Sequence, residues 1–254
     1  MAIAKSIALV TGGSRGLGKS AAVTLADHGV DVILTYRTSR AEAEAVVAQV
    51  QQRGCRAIAL ALDVALVSSF GAFVKQLGAT LQQDWQRNNF NFLINNAGIG
   101  IHASFADTTE AQFDELLNIH FKGAFFLTQK LLPLIADQGR IINLSSGLTR
   151  FALPGYSAYA AMKGAMEVLT RYLAKELGAR GIAVNTLAPG AIETDFGGGA
   201  VRDNPDVNRF IASQTALGRV GLPDDIGGVI ASLLSPECSW INGQRIEASG
   251  GMFL

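Results

Sequence analysis

The sequence is poor in two residue types that define whole classes of protein. Only two cysteines occur in 254 residues, Cys55 and Cys238, and no Cys-x-x-Cys spacing is present. This indicates free thiols and a reducing compartment rather than a disulfide framework. The three histidines, His28, His102 and His120, are not paired at the spacing typical of metal ligands. We therefore predict no metal site.

The chain also lacks a charge excess and a long apolar run. Lys and Arg together number 21, as do Asp and Glu, so no basic field predicts a nucleic-acid partner. No stretch approaches the roughly 18 to 20 apolar residues that a membrane helix requires. The N-terminal segment Met1–Lys5 does not have the pattern of a signal peptide. We expect a cytoplasmic protein with a small-molecule partner and no membrane partner.

Hydrophobic residues, in contrast, make up 49% of the chain, which is enough for a substantial core. Short apolar runs alternate with segments of helical periodicity. Buried parallel strands read as continuous apolar runs, so this alternation predicts an α/β fold. We expect a doubly wound (Rossmann-type) seven-stranded parallel sheet with helices on both faces, in a single domain over residues 1–254. The runs are Ile7–Val10, Val30–Leu34, Ala57–Leu62, Phe92–Ile94, Ile141–Leu144, Ile182–Leu187 and Arg245–Ala248.

A glycine-rich turn follows the first apolar run, and a helical pattern begins at once. It reads Thr11-Gly12-Gly13-Ser14-Arg15-Gly16-Leu17-Gly18. Glycines let the backbone approach a diphosphate, and a helix N-terminus supplies free N–H donors. The spacing differs from Gly-x-Gly-x-x-Gly and would be weak evidence alone, but its place between strand and helix predicts a dinucleotide site. No Gly-Lys-Ser/Thr ending follows, so a P-loop hydrolase is not supported.

The end of the second strand indicates which nicotinamide cofactor is bound. A fold that prefers NAD usually carries Asp or Glu there, about 20 residues beyond the glycines. Here the end reads Tyr36-Arg37-Thr38, and Arg15 extends from the glycine loop toward the same pocket. Guanidinium groups bind phosphate in bidentate fashion, so we predict NADP(H) over NAD(H). Ordinary solvated arginines are the alternative. Asp63, after the third strand, is either an adenine ligand or a turn-forming residue.

Three side chains in the second half of the chain suit proton transfer to a carbonyl. Ser146 follows a strand, Tyr159 comes thirteen residues later, and Lys163 lies four further on. The predicted helix Ser157–Gly178 places Tyr159 and Lys163 on one face. A phenol of pKa ~10 needs a neighbouring ammonium and a positive nicotinamide ring to favour the phenolate. Ser146 would hold the substrate oxygen. A Tyr-x3-Lys pair alone is common in helices. The presence of Ser146 and of the glycine loop is what favours a catalytic role for this pair.

These motifs together resemble the short-chain dehydrogenase/reductase family, and the resemblance covers essentially the whole chain. It rests on the glycine loop and on Asn95-Asn96-Ala97-Gly98, Asn118, Ser146, Tyr159-Ala160-Ala161-Met162-Lys163 and Pro189-Gly190-Ala191-Ile192-Glu193-Thr194. The family implies NAD(P)(H) binding and, in most members, dimers or tetramers. We therefore expect a homo-oligomer.

The resemblance also assigns roles to individual residues. It implies that Tyr159 is the general acid/base, that Ser146 polarises the carbonyl, and that Lys163 holds the nicotinamide ribose and lowers the tyrosine pKa. Asn118 would complete a tetrad by fixing a water in a proton relay. Without the family, Asn118 and Asn95 read as structural polar residues. The expected cofactor-binding residues are Gly12, Ser14, Arg15, Gly16, Leu17, Gly18, Tyr36, Arg37, Asp63, Val64, Asn95, Ala97, Gly98, Tyr159, Lys163, Pro189, Gly190, Ile192 and Thr194.

Two segments depart from the family's usual pattern. The polar segment Gly78–Asn91 suggests a longer connection before the fourth strand, away from the chemistry. In the C-terminal strand region, Ser249 stands where an Asp is common, which bears on contacts between subunits.

The substrate side is less defined. Three successive glycines begin at Gly197, and residues 195–217 are interpreted as a mobile lid, with a flexible surface loop as the alternative. Apolar residues in and near this segment suggest an apolar ketone or secondary alcohol: Leu148, Phe151, Leu153, Phe196 and Phe210. Three arginines would instead suit an acidic or carrier-linked group, as in the similar 3-oxoacyl-carrier-protein reductases: Arg150, Arg202 and Arg209.

Two functions of different classes fit the sequence. The first is an NADP(H)-dependent oxidoreductase that interconverts a carbonyl and an alcohol; the second is a cofactor-sensing protein that has lost the reaction. The set Asn118, Ser146, Tyr159 and Lys163 favours the enzyme, because a non-catalytic relative would be free to lose Tyr159.

Overall fold

The computed structural model describes residues 5–254, and its centre is a seven-stranded sheet with the strand order 3-2-1-4-5-6-7. All the strand pairs are parallel. The order reverses between β1 and β4, and ligands of such sheets bind at this switch point. The predicted Rossmann-type fold is therefore confirmed. The strands are β1 (Ile7–Val10), β2 (Asp31–Tyr36), β3 (Ala57–Ala61), β4 (Phe90–Asn95), β5 (Ile135–Leu144), β6 (Ala183–Pro189) and β7 (Arg245–Ala248).

Helices cover both faces of the sheet. In β1, Ala8 and Val10 pack into one core cluster, and Ile7 and Leu9 pack into the other, as the two-residue period of a strand requires. The first cluster includes residues of the first, second and ninth helices, and the second includes residues of the third, fifth and sixth helices. The helices are α1 (Gly16–Asp27), α2 (Arg40–Gln52), α3 (Phe70–Trp85), α4 (Glu110–Leu117), α5 (Ala124–Leu131), α6 (Ser157–Glu176), α7 (Ala200–Asp203), α8 (Pro205–Ser213) and α9 (Pro223–Leu234).

The polar segment Gly78–Asn91 is mostly helical. Helix α3 continues through it to Trp85, and β4 begins at Phe90. The helix persists because Leu77 and Leu81, one turn apart, are fully buried, while the Gln-rich positions face outward. The segment is thus mainly the second half of α3, and whether this connection is longer than in other family members stays a prediction.

Other features of the fold bear on the remaining expectations. Cys55 and Cys238 are both free thiols. Within residues 5–254, no helix combines the length and the apolar character needed to cross a bilayer. In the same range, no three His, Cys, Asp or Glu side chains come together as metal ligands would. Residues 1–4, part of the segment compared with signal peptides, lie outside the described residues.

Candidate active site

The glycine turn between β1 and α1 forms a cradle of bare backbone. Gly12 and Gly16 have φ of 65° and 54°, in the left-handed region that favours glycine. A Cβ on Gly18 would overlap the carbonyl oxygen of Gly12, so this glycine packs beneath the loop rather than on the surface of the cleft. Arg15 precedes α1 and makes no side-chain capping bond, which leaves first-turn N–H groups available. The cradle therefore fits the diphosphate of a dinucleotide.

The end of β2 adds a second anion site. Tyr36, Arg37, Thr38 and Ser39 line the same cleft. Arg37 is exposed and forms no ion pair in the part of the chain that the structure describes. Helix α2 begins directly after Ser39, whose side chain makes no capping bond. A guanidinium and an open helix N-terminus therefore flank this corner, and both favour a phosphate. The hydroxyls of Thr38 and Ser39 are lining groups that the sequence reasoning missed.

Asp63 and Val64 line the cleft after β3. The Oδ1 of Asp63 accepts a hydrogen bond from the backbone N–H of Ala65 at 2.9 Å. Asp63 is thus a turn-forming residue that also borders the cleft, so its two interpretations do not exclude each other.

Ser146, Tyr159 and Lys163 lie in one cavity with the glycine loop. The cavity has a volume of about 540 Å³. Tyr159 and Lys163 are buried on one face of α6, and the Nζ of Lys163 lies 5.6 Å from the centre of the Tyr159 ring. Lys163 Nζ also donates to the carbonyl oxygen of Leu144 at 2.7 Å. Ser146, which follows β5, accepts a hydrogen bond on Oγ from the N–H of Leu148 at 3.2 Å.

Burial controls the protonation of both α6 residues. It raises the pKa of Tyr159 above its ordinary value; the Ser146 hydroxyl opposes this rise, and Tyr156 adds to it. Burial lowers the pKa of Lys163 from 10.5 to about 7. In the protein chain alone, Tyr159 is therefore a neutral phenol. The lowering of this pKa by Lys163 and the bound cofactor stays a prediction, because in the chain alone the loss of hydration dominates.

Asn118 is not among the residues that line the cleft, and its role in a proton relay stays a prediction. Helix α4 ends at Leu117, and a π-helical turn, Asn118–Gly123, follows it. Asn118 is the first residue of this turn, and His120, two residues further on, lies on the opposite side of the helix and lines the cavity. The His120 ring meets the Tyr159 ring edge to face, with 5.1 Å between centroids and 88° between planes.

Asn95 is likewise not a lining residue; its neighbour Asn96 is. Asn95 is buried, and its Nδ2 donates to Thr128 Oγ1 at 3.0 Å and to Asn143 Oδ1 at 2.8 Å. Asn96 donates through Nδ2 to the carbonyl oxygens of Thr11 and Gly12, at 2.8 and 3.0 Å. Asn96 therefore fixes the glycine loop, whereas Asn95 ties β4 to β5 and α5.

The remaining walls come from the segments after β4 and β6. Ala97 and Gly98 line the cavity, as do residues at the end of β6 and in the segment after it: Pro189, Gly190, Ile192 and Thr194. Phe196 follows, and its ring packs against Tyr159 with 5.6 Å between centroids. Phe210 is exposed and does not line the cavity, while the adjacent Ile211 does.

The three arginines considered for an acidic substrate are all bound to neighbouring carboxylates. They pair as Arg150 with Glu247, Arg202 with Asp195 and Asp203, and Arg209 with Asp206. None of the three lines the cavity. The structure therefore gives no support to acidic-group recognition by these side chains.

A cradle for a dinucleotide at the switch point of a parallel sheet, with a serine, a tyrosine and a lysine in the same cavity, defines a nucleotide-dependent oxidoreductase of the α/β class. Comparisons with known proteins agree. Residues 12–253 match the family model described as enoyl-(acyl carrier protein) reductase. The 3-oxoacyl-[acyl-carrier-protein] reductase of Staphylococcus aureus is 36% identical over 249 residues, 97% of this chain and 98% of the relative.

Two solved structures are similar over almost their whole length. The promiscuous reductase LugOII, which catalyses keto-reduction at C1 during lugdunomycin biosynthesis, has a TM-score of 0.93 and 37% identity, with 98% of each chain covered. The angucycline C-6 ketoreductase LanV with bound NADP has a TM-score of 0.93 and 33% identity, covering 98% of this chain and 95% of LanV. The chain belongs to the short-chain dehydrogenase/reductase family.

Proposed function

We propose that this protein is an NADP(H)-dependent oxidoreductase that interconverts a ketone or aldehyde and the corresponding alcohol. The observation that carries the proposal is one cavity in which Ser146, Tyr159 and Lys163 lie together with the glycine cradle. When bound, the nicotinamide cofactor supplies or accepts the hydride. The protein supplies the proton, the orientation of the reactants and the exclusion of water.

The proton is held at Tyr159 Oη. Because burial keeps this phenol neutral, Tyr159 is prepared to donate to a carbonyl oxygen on which negative charge develops. Ser146 Oγ donates a hydrogen bond to the same oxygen and fixes its position. Lys163 binds the cofactor ribose, and its ammonium form stabilises the phenolate that the proton transfer leaves.

Arg37 carries the proposed preference for NADP(H) over NAD(H). It lies at the corner that is completed by Thr38, Ser39 and the N-terminus of α2, and Arg15 borders the same cleft. Two guanidinium groups and a helix N-terminus suit a phosphate, and β2 ends without the carboxylate that usually accepts from a free ribose hydroxyl. The NADP found in the LanV structure supports this choice.

We propose an apolar ketone as the substrate. Leu148, Phe151 and Leu153 line the cavity beyond Ser146, and Phe196 closes it. The two structural relatives reduce ketones, at C1 for LugOII and at C6 of an angucycline for LanV. A 3-oxoacyl thioester is the second candidate, favoured by the Staphylococcus aureus relative, but the paired arginines offer no free charge for an acidic carrier.

The proposal also covers the domain organisation, a mobile lid, the localisation and the oligomeric state of the protein. We propose that residues 1–254 act as one domain and that residues 195–217 form a lid, with its hinge at the three left-handed glycines 197–199. We also propose a cytoplasmic homo-oligomer. Exposed Val168 and Tyr172, one turn apart on α6, form an apolar stripe that a second copy would cover.

A spectrophotometric screen of NADPH oxidation tests the proposed function. Ketones with fused aromatic rings, quinones, sugars and 3-oxoacyl thioesters are compared, and deuterium-labelled NADPH identifies products that have received the hydride. We expect transfer to at least one apolar ketone. Tight NADPH binding without transfer to any substrate would instead favour the cofactor-sensing alternative.

A further inference from the structure

A small polar cavity adjoins the cleft between β4, the π-helical turn and α6. Its volume is about 10 Å³, which is room for about one water molecule. Its polar lining comes from Asn95, His120, Lys163 and Thr11. The hydroxyl of Thr11 is already engaged, because it donates to the Ile94 carbonyl and accepts from two backbone N–H groups. The polar side chains of Asn95, His120 and Lys163 therefore remain, and their hydrogen bonds have to be accounted for.

Asn95 presents an unused acceptor to this cavity. Both protons of its Nδ2 group are committed, one to Thr128 and one to Asn143. These two bonds fix the orientation of the amide, so its Oδ1 cannot exchange places with its nitrogen. The Oδ1 atom is buried and has no hydrogen-bond partner in the protein. A buried amide oxygen in this state is costly unless something donates to it.

His120 presents a second acceptor. Its Nε2 lies 2.8 Å from the carbonyl oxygen of Ile99. The backbone N–H of Ile99 also lies 3.2 Å from Nε2. A lone pair on Nε2 would, however, face the lone pairs of the carbonyl oxygen at the shorter distance, so we assign the proton to Nε2 and the lone pair to Nδ1. Burial and the nearby Lys163 hold the pKa of His120 well below its ordinary value, which keeps the ring neutral. Nδ1 is buried without a partner, and within residues 5–254 it shares this condition only with Asn95 Oδ1.

Lys163 supplies hydrogen-bond donors to the same cavity. Its Nζ is committed to Leu144 through one bond, and an ammonium has three protons. The cavity therefore combines two acceptors that need protons and one group with protons to give. A single water molecule satisfies all of them, because it donates twice and accepts from Nζ.

We propose that Asn95 Oδ1, His120 Nδ1 and Lys163 Nζ bind one water molecule in this cavity, and that His120 is thereby a positioning residue for Lys163. The water and Leu144 fix two of the three Nζ protons, so the third is directed toward the cleft and Tyr159. The water also stabilises the ammonium against the effect of burial. The role of His120 in turnover rests on the proposed function, whereas the water site does not.

The water site is tested without catalysis. A crystal structure of the wild-type protein at about 1.2 Å resolution should show one ordered water about 2.7–3.2 Å from each of the three atoms. Nitrogen-15 NMR of histidine-labelled protein should show the neutral Nε2–H form of His120 from pH 6 to pH 8. His28→Gln and His102→Gln assign the three histidine signals. A dry cavity, a protonated ring or an Nδ1–H form would overturn the proposal.

The positioning role is tested by a pair of variants. His120→Phe removes the acceptor but keeps an aromatic ring against Tyr159; His120→Gln keeps a side-chain acceptor. We expect His120→Phe to lower kcat about tenfold with little change in KM, and to shift the alkaline limb of the kcat profile to lower pH by about one unit. His120→Gln should recover part of both effects, which a purely structural role would not predict. His28→Gln, at an exposed site, is the matched control.

The outcomes separate the two proposals. Wild-type kcat and an unshifted pH profile in His120→Phe would refute the positioning role while ketone reduction stands. If His120→Phe does not fold, the crystal structure decides, because the absence of an ordered water bound to the three atoms refutes the positioning role equally. An observed water in a wild-type protein that reduces no carbonyl would overturn the proposed function alone.

Discussion

Tyr159 and His120 meet edge to face at the floor of the cleft, with 5.1 Å between their ring centroids. Phe196 contacts the same tyrosine ring from the segment after β6, at 5.6 Å. Edge-to-face contacts of this kind contribute about 0.5–1.5 kcal/mol beyond their buried area. Two elements remote in the sequence therefore orient one phenol. This arrangement explains how a buried tyrosine on a helix can present its hydroxyl reproducibly to the cavity.

Replacing Tyr159 with Phe removes the proposed proton donor and leaves these ring contacts in place. We expect kcat to fall by about 10² or more, because a positioned acid contributes at least that much. NADPH affinity, measured by fluorescence titration, should change little. Tyr172→Phe on the exposed side of the same helix is the control. Near-normal turnover in Tyr159→Phe would contradict the assigned role.

Arg37→Ala tests the cofactor preference. Loss of a charge-assisted contact to a phosphate should weaken NADPH binding about tenfold to a hundredfold, with little effect on NADH. Isothermal titration with both cofactors measures the two affinities. Arg53→Ala, at the opposite end of α2, is the matched control because Arg53 pairs only with Asp27 and its own helix. Equal losses for both cofactors would refute the preference.

The sequence predicted the architecture because hydrophobic periodicity is a local signal. The runs around β1 and β7 matched the structure to the residue. By contrast, β5 begins at Ile135, six residues before the expected start, because its first half includes polar Asp137 and Gln138. A strand whose ends leave the core no longer has a continuous apolar pattern.

The residues of the candidate site likewise fall into those that local sequence patterns predicted and those that they did not. Local spacing predicted that Ser146, Tyr159 and Lys163 lie together, because one strand end and one helix face carry them. The place of His120 in the cavity wall was not predicted, because it follows the start of a π-helical turn at Asn118 and the sequence motifs carry no histidine signal. No local sequence pattern predicts such a turn. The pairing of Arg150 with Glu247 is similarly hidden, since it joins residues far apart in the chain.

Gly18→Ala tests the glycine cradle. A Cβ there would overlap Gly12 and the side-chain nitrogen of Asn96, so the loop must shift. We expect weaker NADPH binding and a loss of more than 1 kcal/mol in the free energy of unfolding, as in other overpacked sites. Gly228→Ala, in α9, is the control because a Cβ there meets open space. It should stabilise the fold by about 0.5–1 kcal/mol. Equal effects at the two glycines would contradict the close packing.

Lys163 gives the stability of the protein a specific pH dependence. Its pKa is about 7 in the folded chain and 10.5 ordinarily. Between these values the unfolded chain binds a proton that the folded chain does not, so unfolding becomes less favourable as pH rises. The burial cost of the ammonium is complete below pH 7 and is relieved above it. Relative to Lys163→Met, the wild type should gain on the order of 1 kcal/mol per pH unit from pH 7.5 to 9.

Urea unfolding at pH 6.5, 7.5 and 9 measures this gain. Lys175→Met, an exposed position on the same helix, should follow the wild type at every pH. If the wild type and Lys163→Met show parallel profiles, Lys163 is not held in a site that lowers its pKa.

Glu247 links the last strand to the loop that carries Ser146. It binds Arg150 at 2.7 Å and Arg245 at 2.8 Å, and Arg245 donates to the Ser146 carbonyl at 3.3 Å. The hydrogen bond from Arg150 lowers the pKa of Glu247 most, and the hydrogen bonds from Arg245 and Ser249 add to this effect. Together they lower the pKa from 4.5 to about 2. The stability that this carboxylate contributes is therefore complete well above pH 4.5 and is lost as pH falls toward 2.

Between pH 6.5 and 4, the melting temperature of the wild type should fall further than that of Glu247→Gln, which cannot titrate. Solvent screening limits the difference to on the order of 1–2 °C. Glu44→Gln, in an exposed pair with Arg40, is the control and should show the acid profile of the wild type.

Because the glutamine keeps the size of the side chain but not its charge, Glu247→Gln should also loosen the Ser146 loop and raise KM for a ketone at pH 7. Identical acid profiles for wild type and Glu247→Gln would show that the carboxylate carries no such stabilisation.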